Sequence, residues 1–128
     1  MTTLEVTDID LHYGAAQALK KVSITAKANA ITSVLGRNGV GKSSLLRAVT
    51  GTHPISAGSI AIDTTELKKS APYTRARMGI GYVPQGREIF PLLSVKENLL
   101  TGYAPLKVRD RSIPETIFEL FPVLKTML

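Results

Sequence analysis

The segment "GRNGVGKSS", residues 36–44, sets Gly36, Gly39, Gly41, Lys42 and Ser43 in the spacing G-x-x-x-x-G-K-[ST]. Glycines at these positions let successive backbone N–H groups curl into an anion nest, and a helix opening at the end of the segment adds its positive N-terminal end. In that arrangement Lys42 reaches between the outer phosphates of a nucleotide, Ser43 ligates Mg²⁺, and Ser44 adds a hydroxyl or a backbone donor. A glycine-rich turn that merely precedes a helix would need neither the lysine nor the serine.

Two further residues can serve such a site. Tyr13, in "LHYG", precedes the loop, and its π face can stack on adenine; the same ring also suits ordinary strand packing. Gln85 follows the apolar run "GIGYVP", at the strand end where α/β sheets place their ligands. Its amide can touch Mg²⁺ or an attacking water, or it is a surface glutamine in a turn. His12 beside Tyr13 and His53 in the turn "THP" read as ordinary loop chemistry, and Glu88 is not nominated as a base.

The elements around these residues suit a phosphate site. "LEVTDIDLHY" alternates apolar and polar residues from Leu4 to Leu11, and "VSITAKA" repeats the pattern from Val22 to Ala28, which predicts two antiparallel strands. "AITSVLG" is mostly apolar and β-branched, as a strand buried in a parallel sheet would be. Leu45, Leu46 and Val49 then recur at helical spacing, with Gly51 as a stop. "AGSIAID" and "MGIGYVP" read as two more strands, with a short helix near Pro72 between them. Ser94 with Glu97, and Ser112 with Glu115, each fit a capping box opening a helix. In the second of these helices Ile117, Leu120, Phe121, Leu124 and Leu128 form an apolar stripe interrupted by Pro122.

Composition narrows the classes. The 128 residues are 44% apolar, about one domain, and contain no cysteine, so there is neither a disulfide framework nor a thiolate metal site. The net charge of +6 is spread in pairs such as Lys20-Lys21 and Lys68-Lys69, without an arginine-rich run or aromatic platform, which speaks against nucleic acid as a partner. The N-terminus has acids and no apolar leader, and no stretch approaches the roughly 20 apolar residues that span a bilayer. The expectation is a soluble, cytoplasmic chain whose membrane contact runs only through partners.

With Tyr13, "GRNGVGKSS" and "YVPQGREIFPLLSVKENLLTG" on view, the chain resembles the N-terminal half of an ATP-binding cassette (ABC) subunit of a membrane transporter. The resemblance implies an α/β fold, a P-loop NTPase core with an N-terminal antiparallel β part, ending before the Walker B strand, so that residues 1–128 are an incomplete portion of one ATP-binding domain. It makes Tyr13 the adenine-stacking aromatic and Gly36 to Ser43 the Walker A loop, with Asn38 and Ser44 among the nucleotide-binding residues. It also makes Gln85 the Q-loop glutamine, a metal-touching residue that senses the γ-phosphate and couples the site to the permease. The cofactors implied are ATP and Mg²⁺. The partners implied are transmembrane permease subunits and a second ABC ATPase subunit, at the cytoplasmic face of a bacterial inner membrane.

The wording "PQGREIFP" is similar to the ATPases of branched-chain amino acid and urea or short-chain amide importers, leaning towards the urea branch. Physically, Pro84 and Pro91 stiffen a loop carrying Arg87 and Glu88, with Ile89, Phe90, Leu92 and Leu93 as apolar surface for a docked protein; alternatively Ile89 and Phe90 turn inward onto the following helix. Asn29 and Ala30 stand where relatives usually have a glycine-acid turn. The 128 residues hold no L-S-G-G-Q signature, no strand ending in Asp-Glu and no switch histidine. The expectation is a chain that binds ATP without turning it over by itself, with unpaired strand edges at "AITSVL" and "MGIGYV" that favour association. Two alternatives stay open at this point: another P-loop class, a GTPase or nucleotide kinase, although no N-K-x-D segment is present, and a non-catalytic fragment that docks on a permease through residues 85–103.

Overall fold

The structure, a computed structural model, describes residues 2–128 apart from Asn38, Val40, Lys68 and Arg87. The chain divides into two compact units, Met1–Gly81 and Tyr82–Leu128.

The first unit is a four-stranded antiparallel sheet with a helix on one face. Strands β1 (Leu4–Tyr13), β2 (Ala16–Ala26), β3 (Ala57–Ile62) and β4 (Thr65–Glu66) lie in the order β2-β1-β3-β4. The hairpin between β1 and β2 turns at Gly14, whose φ of 60° is left-handed, and pairs Tyr13 with Ala16. Along β1 the buried residues are Val6, Ile9 and Leu11, so the alternation slips between Val6 and Ile9. A β-bulge at Asp8, with φ 46°, makes the correction and returns Ile9 to the inner face. Ser23 secures the bulge: its hydroxyl accepts from the Asp8 N–H at 2.8 Å and donates to Asp8 Oδ1 at 3.1 Å.

Helix α1 (Lys42–Thr50) presents Leu45, Ala48 and Val49 to this face, where they join Val6, Ile9, Leu11, Leu19, Ile60 and Leu67 in one buried cluster. Burying each large aliphatic side chain is worth about 1.5–3 kcal/mol, which fixes the helix to the sheet. Leu46, expected beside Leu45 on that face, is 47% exposed: one residue of helical rotation carries it off the apolar stripe. The helix stops at Gly51 with φ 81°. Helix α2 (Pro72–Arg77), with Pro72 in its first turn as the sequence suggests, sends the buried Arg75 back to α1. Arg75 Nη1 donates to Ala48 O at 2.7 Å and Val49 O at 3.0 Å, and Nε donates to Ser70 O and Oγ, each at 3.1 Å. A cation there complements the negative end of α1, while burial lowers the pKa of the guanidinium.

Two expected strands are absent. Residues 31–36 and 78–84 carry no strand, and the sheet formed by the described residues is wholly antiparallel. Strand propensity does not make a strand without a hydrogen-bonded neighbour, and no described residue pairs with either segment. Ile31 is 96%, Leu35 89% and Val83 92% exposed. Met78 and Ile80, by contrast, pack against the core cluster of the first unit.

The second unit is helical. Helix α3 (Val95–Leu100) opens with the expected capping box: the Glu97 N–H donates to Ser94 Oγ at 3.1 Å and the Ser94 N–H to Glu97 Oε2 at 2.7 Å. The Ser94 backbone bond, then its side-chain bond, holds the Glu97 carboxyl below its usual pKa. Asn98 stitches the preceding loop to the helix, accepting from the Phe90 N–H at 2.9 Å and donating to Phe90 O, Leu93 O and Ser94 O. The second expected capping box does not form. Helix α4 (Glu115–Leu120) has Pro114, not Ser112, at its cap position and no side-chain cap, and the Ser112 N–H that Glu115 would have accepted from donates instead to Asp110 Oδ1. Pro122 separates α4 from α5 (Val123–Met127), as the sequence implies. Of the apolar stripe, Ile117 and Leu124 are half-buried, whereas Leu120 and Phe121 are exposed.

Candidate functional site

Lys42 and Ser43 stand at the start of α1, behind two left-handed glycines. Gly39 has φ 83° and Gly41 has φ 102°. At Gly41 the need for glycine is twofold, since a Cβ would also lie 2.8 Å from Leu19 Cδ2 and 3.0 Å from Ala18 O on β2. The first helical bond runs from the Leu45 N–H to Gly41 O at 2.9 Å. No side chain caps this end of α1 and its first turn holds no acid. The N–H groups of the first turn are therefore not covered by a side-chain cap, which suits an anion. Lys42 Nζ donates to Gly36 O at 2.5 Å, so the ammonium sits over the segment that the sequence assigns to the phosphates. Asn38, also expected in the site, lies outside the described residues.

Ser43 is exposed and Ser44 is buried. The Ser44 hydroxyl does not point to the phosphate position expected of it: Ser44 Oγ lies 3.1 Å from the Tyr13 hydroxyl. What Ser44 offers an anion is its backbone N–H. Arg47 Nη1, one turn further along α1, donates to the Tyr13 oxygen at 3.3 Å. These two bonds, Ser44 first and Arg47 second, lower the pKa of the Tyr13 phenol. Tyr13 is 37% exposed at the end of β1. The structure thus joins Tyr13 to α1, which strand packing alone would not require.

His53, read from the sequence as loop chemistry, lies against Tyr13, with ring centroids 4.4 Å apart and planes at 37°. Its Nε2 donates to His12 O at 2.7 Å. Gln85 belongs to the second unit and is exposed. In the same unit Ile89 is 69% and Phe90 55% exposed, and both line a cavity with Val95, Asn98 and Leu99 of α3. Arg87 lies outside the described residues.

Among the described residues no group of His, Cys, Asp and Glu could hold a metal ion. A metal here would take hydroxyl, amide and phosphate oxygens instead, a donor set that fits Mg²⁺ with Ser43 as ligand. No helix of the described residues is long and apolar enough to cross a membrane.

The family model for ABC transporters matches residues 19–126. The chain belongs to the ABC transporter family. That membership sets aside the GTPase and nucleotide kinase alternatives. The ABC chain is 37% identical over 123 residues to a high-affinity branched-chain amino acid transport ATP-binding protein, BraG of Pseudomonas aeruginosa, covering 95% of this chain and 53% of the relative. It is 38% identical over 110 residues to the lipopolysaccharide export system ATP-binding protein LptB of Escherichia coli, covering 86% of this chain and 44% of LptB. Its fold matches the structure of MJ1267, an ATP-binding cassette of an ABC transporter, with a TM-score of 0.72 and 27% identity over 98% of this chain and 53% of MJ1267. The ABC chain therefore spans about half the length of the relatives it matches.

Proposed function

We propose that this chain is the nucleotide-binding portion of an ABC ATPase subunit that energises uptake of a small polar solute, a branched-chain amino acid or urea and short-chain amides, through transmembrane permease subunits. The observation that carries the nucleotide reading is Lys42 Nζ folded onto Gly36 O beside an uncapped helix start, with Tyr13 tied to the same helix through Ser44. Lys42 and the first-turn N–H groups hold the β and γ phosphates, Ser43 ligates Mg²⁺, Gly36, Asn38, Gly39 and Gly41 belong with them to the nucleotide-binding residues, and Tyr13 carries the adenine. Bound Mg²⁺ supplies neutralisation of phosphate charge. By the family resemblance Gln85 is the Q-loop glutamine, the residue that responds to the γ-phosphate and its metal, and residues 85–103 are the segment offered to the permease. The apolar exposure of Ile89, Phe90 and Leu92 supports that docking role.

Hydrolysis needs a carboxylate to orient the attacking water, and the 128 residues contain no Asp-Glu pair. These residues bind Mg²⁺-ATP and do not turn it over alone; a second ABC ATPase subunit takes part in the complete site. Subunits of this kind work at the cytoplasmic face of a bacterial inner membrane, reached through their permease. The similarity to BraG and the wording "PQGREIFP" support uptake of an amino acid or amide.

Calorimetric titration with Mg²⁺-ATP and a steady-state ATPase assay test the proposal together. Binding without turnover is expected. Lys42-dependent turnover at an ordinary enzyme rate, or no binding of ATP, would overturn it. Capture of the permease by the intact protein, compared with its Lys42→Ala variant, separates nucleotide-dependent coupling from passive docking.

A further inference from the structure

His53 takes no part in the phosphate chemistry, yet its place is tightly specified. It lies in the turn between α1 and β3, and three bonds stitch that turn to the end of β1. The Ser56 N–H donates to Asp10 O at 2.8 Å, His12 Nδ1 shares a bond with Ser56 Oγ at 2.7 Å, and His53 Nε2 donates to His12 O at 2.7 Å. A carbonyl only accepts, so Nε2 carries the proton and the edge of the imidazole is fixed. The ring then rests against Tyr13, centroids 4.4 Å apart.

Tyr13 is thereby held in two ways: its oxygen by Ser44 and Arg47, its ring by His53. A side chain with two rotatable bonds, held at its tip and against one neighbour, keeps little orientational freedom. The 37% of its surface left open is offered in one orientation.

We infer that His53 is a positioning residue for base recognition: it backs the Tyr13 ring and pre-orders it as the surface on which the purine of the nucleotide stacks. The inference rests on the reading of Tyr13 as the adenine platform. Pre-ordering acts by removing the cost of fixing the ring on binding, so it shows in affinity for the base and not for the phosphates. The aromatic backing matters more than the imidazole nitrogens in this role.

The test is titration of the full chain with Mg²⁺-ATP and, separately, with Mg²⁺-tripolyphosphate, which has the phosphates and no base. His53→Ala is expected to weaken ATP about three- to tenfold and leave tripolyphosphate unchanged. His53→Phe, which keeps a ring and loses the bond to His12, is expected to stay near the wild type. In a Tyr13→Ala background, His53→Ala is expected to do nothing more. A histidine that merely held the turn would lower the melting temperature without changing the preference for ATP over tripolyphosphate, and that outcome, with Tyr13→Ala still abolishing the preference, overturns the inference while the Tyr13 reading stands. An undiminished effect of His53→Ala in the Tyr13→Ala background also overturns it. A wild type with no preference for ATP, or a Tyr13→Ala variant that keeps the preference, defeats the Tyr13 reading and the inference with it. Should His53→Ala fail to fold, His53→Leu carries the same comparison.

Discussion

Tyr13 Oη lies 3.1 Å from Ser44 Oγ, so the ring at the end of β1 is fastened to the residue that follows Ser43 at the start of α1. A strand end and a helix start, separate in sequence, are joined by this bond and by that from Arg47. In the proposed site this bond sets the base contact and the phosphate contact relative to each other before any ligand arrives.

That bond makes a prediction in alkaline solution. The Tyr13 pKa is lowered from the ordinary 10.0, first by the bond with Ser44 and then by that with Arg47. Both bonds favour the tyrosinate, so the folded value lies below the unfolded one. The resulting stabilisation is fully present above the unfolded pKa and is lost as pH falls through the folded value; at neutral pH it is absent. Absorbance titration of tyrosinate should therefore show one ionisation move to higher pH in Ser44→Ala. The stability gap between wild type and variant should widen as pH rises toward about 10. An unchanged titration would contradict the bond.

Gly58 and Gly39 should respond differently to alanine. A Cβ at Gly58 would collide with Asp8 O and stand 2.6 Å from Thr7 O, backbone atoms of the bulge that cannot move aside. At Gly39 a Cβ meets nothing within 4 Å, and only the left-handed φ of 83° opposes it. Urea denaturation should give a loss of about 2–4 kcal/mol for Gly58→Ala and about 1–2 kcal/mol for Gly39→Ala. Equal losses would mean that the bulge gives way.

The contrast between Asp8 and its neighbours shows what the sequence discloses. "LEVTDIDLHY" reads as a strand, and the apolar residues on either side of Asp8 are its inner face. That the chain needs a bulge to keep both sets inward is visible only once β2 and β3 are paired with it. The glycines, Lys42 and Ser43 are legible because the loop's chemistry is local. "AITSVL" and "MGIGYV" have the composition of strands and do not form them, because strand formation depends on a neighbour, and none of the described residues supplies one. Ser112 has the spacing of a cap, but the helix starts only after Pro114 and Asp110 takes the Ser112 N–H. The contact of His53 with Tyr13 has no sequence signal, since a turn residue and a strand end meet only through the packing of α1 on the sheet. Arg75 is silent for the same reason.

Arg75 holds the far end of α1, donating to Ala48 O and Val49 O from a site only 5% exposed. Arg75→Ala leaves these carbonyls without that donor and is expected to cost about 2–4 kcal/mol in chemical denaturation. Arg75→Lys keeps the charge but not the fork that reaches two carbonyls and Ser70, and should recover only part of the loss. Full recovery by lysine would show that charge alone matters at this helix end.

Ile31, Leu35 and Val83 are among the most exposed apolar residues of the chain. Sedimentation of the 128-residue chain at rising concentration should show association, and the double variant Ile31→Lys, Leu35→Lys should reduce it. A concentration-independent monomer would contradict the expectation.

The most direct measurement of the nucleotide site is calorimetric titration of Mg²⁺-ATP into the wild-type chain and into Lys42→Ala. In the proposed site Lys42 supplies a charge-assisted contact to the outer phosphates, so its removal should weaken ATP by roughly ten- to a hundredfold with the melting temperature unchanged. Equal affinity in the two proteins would contradict the account.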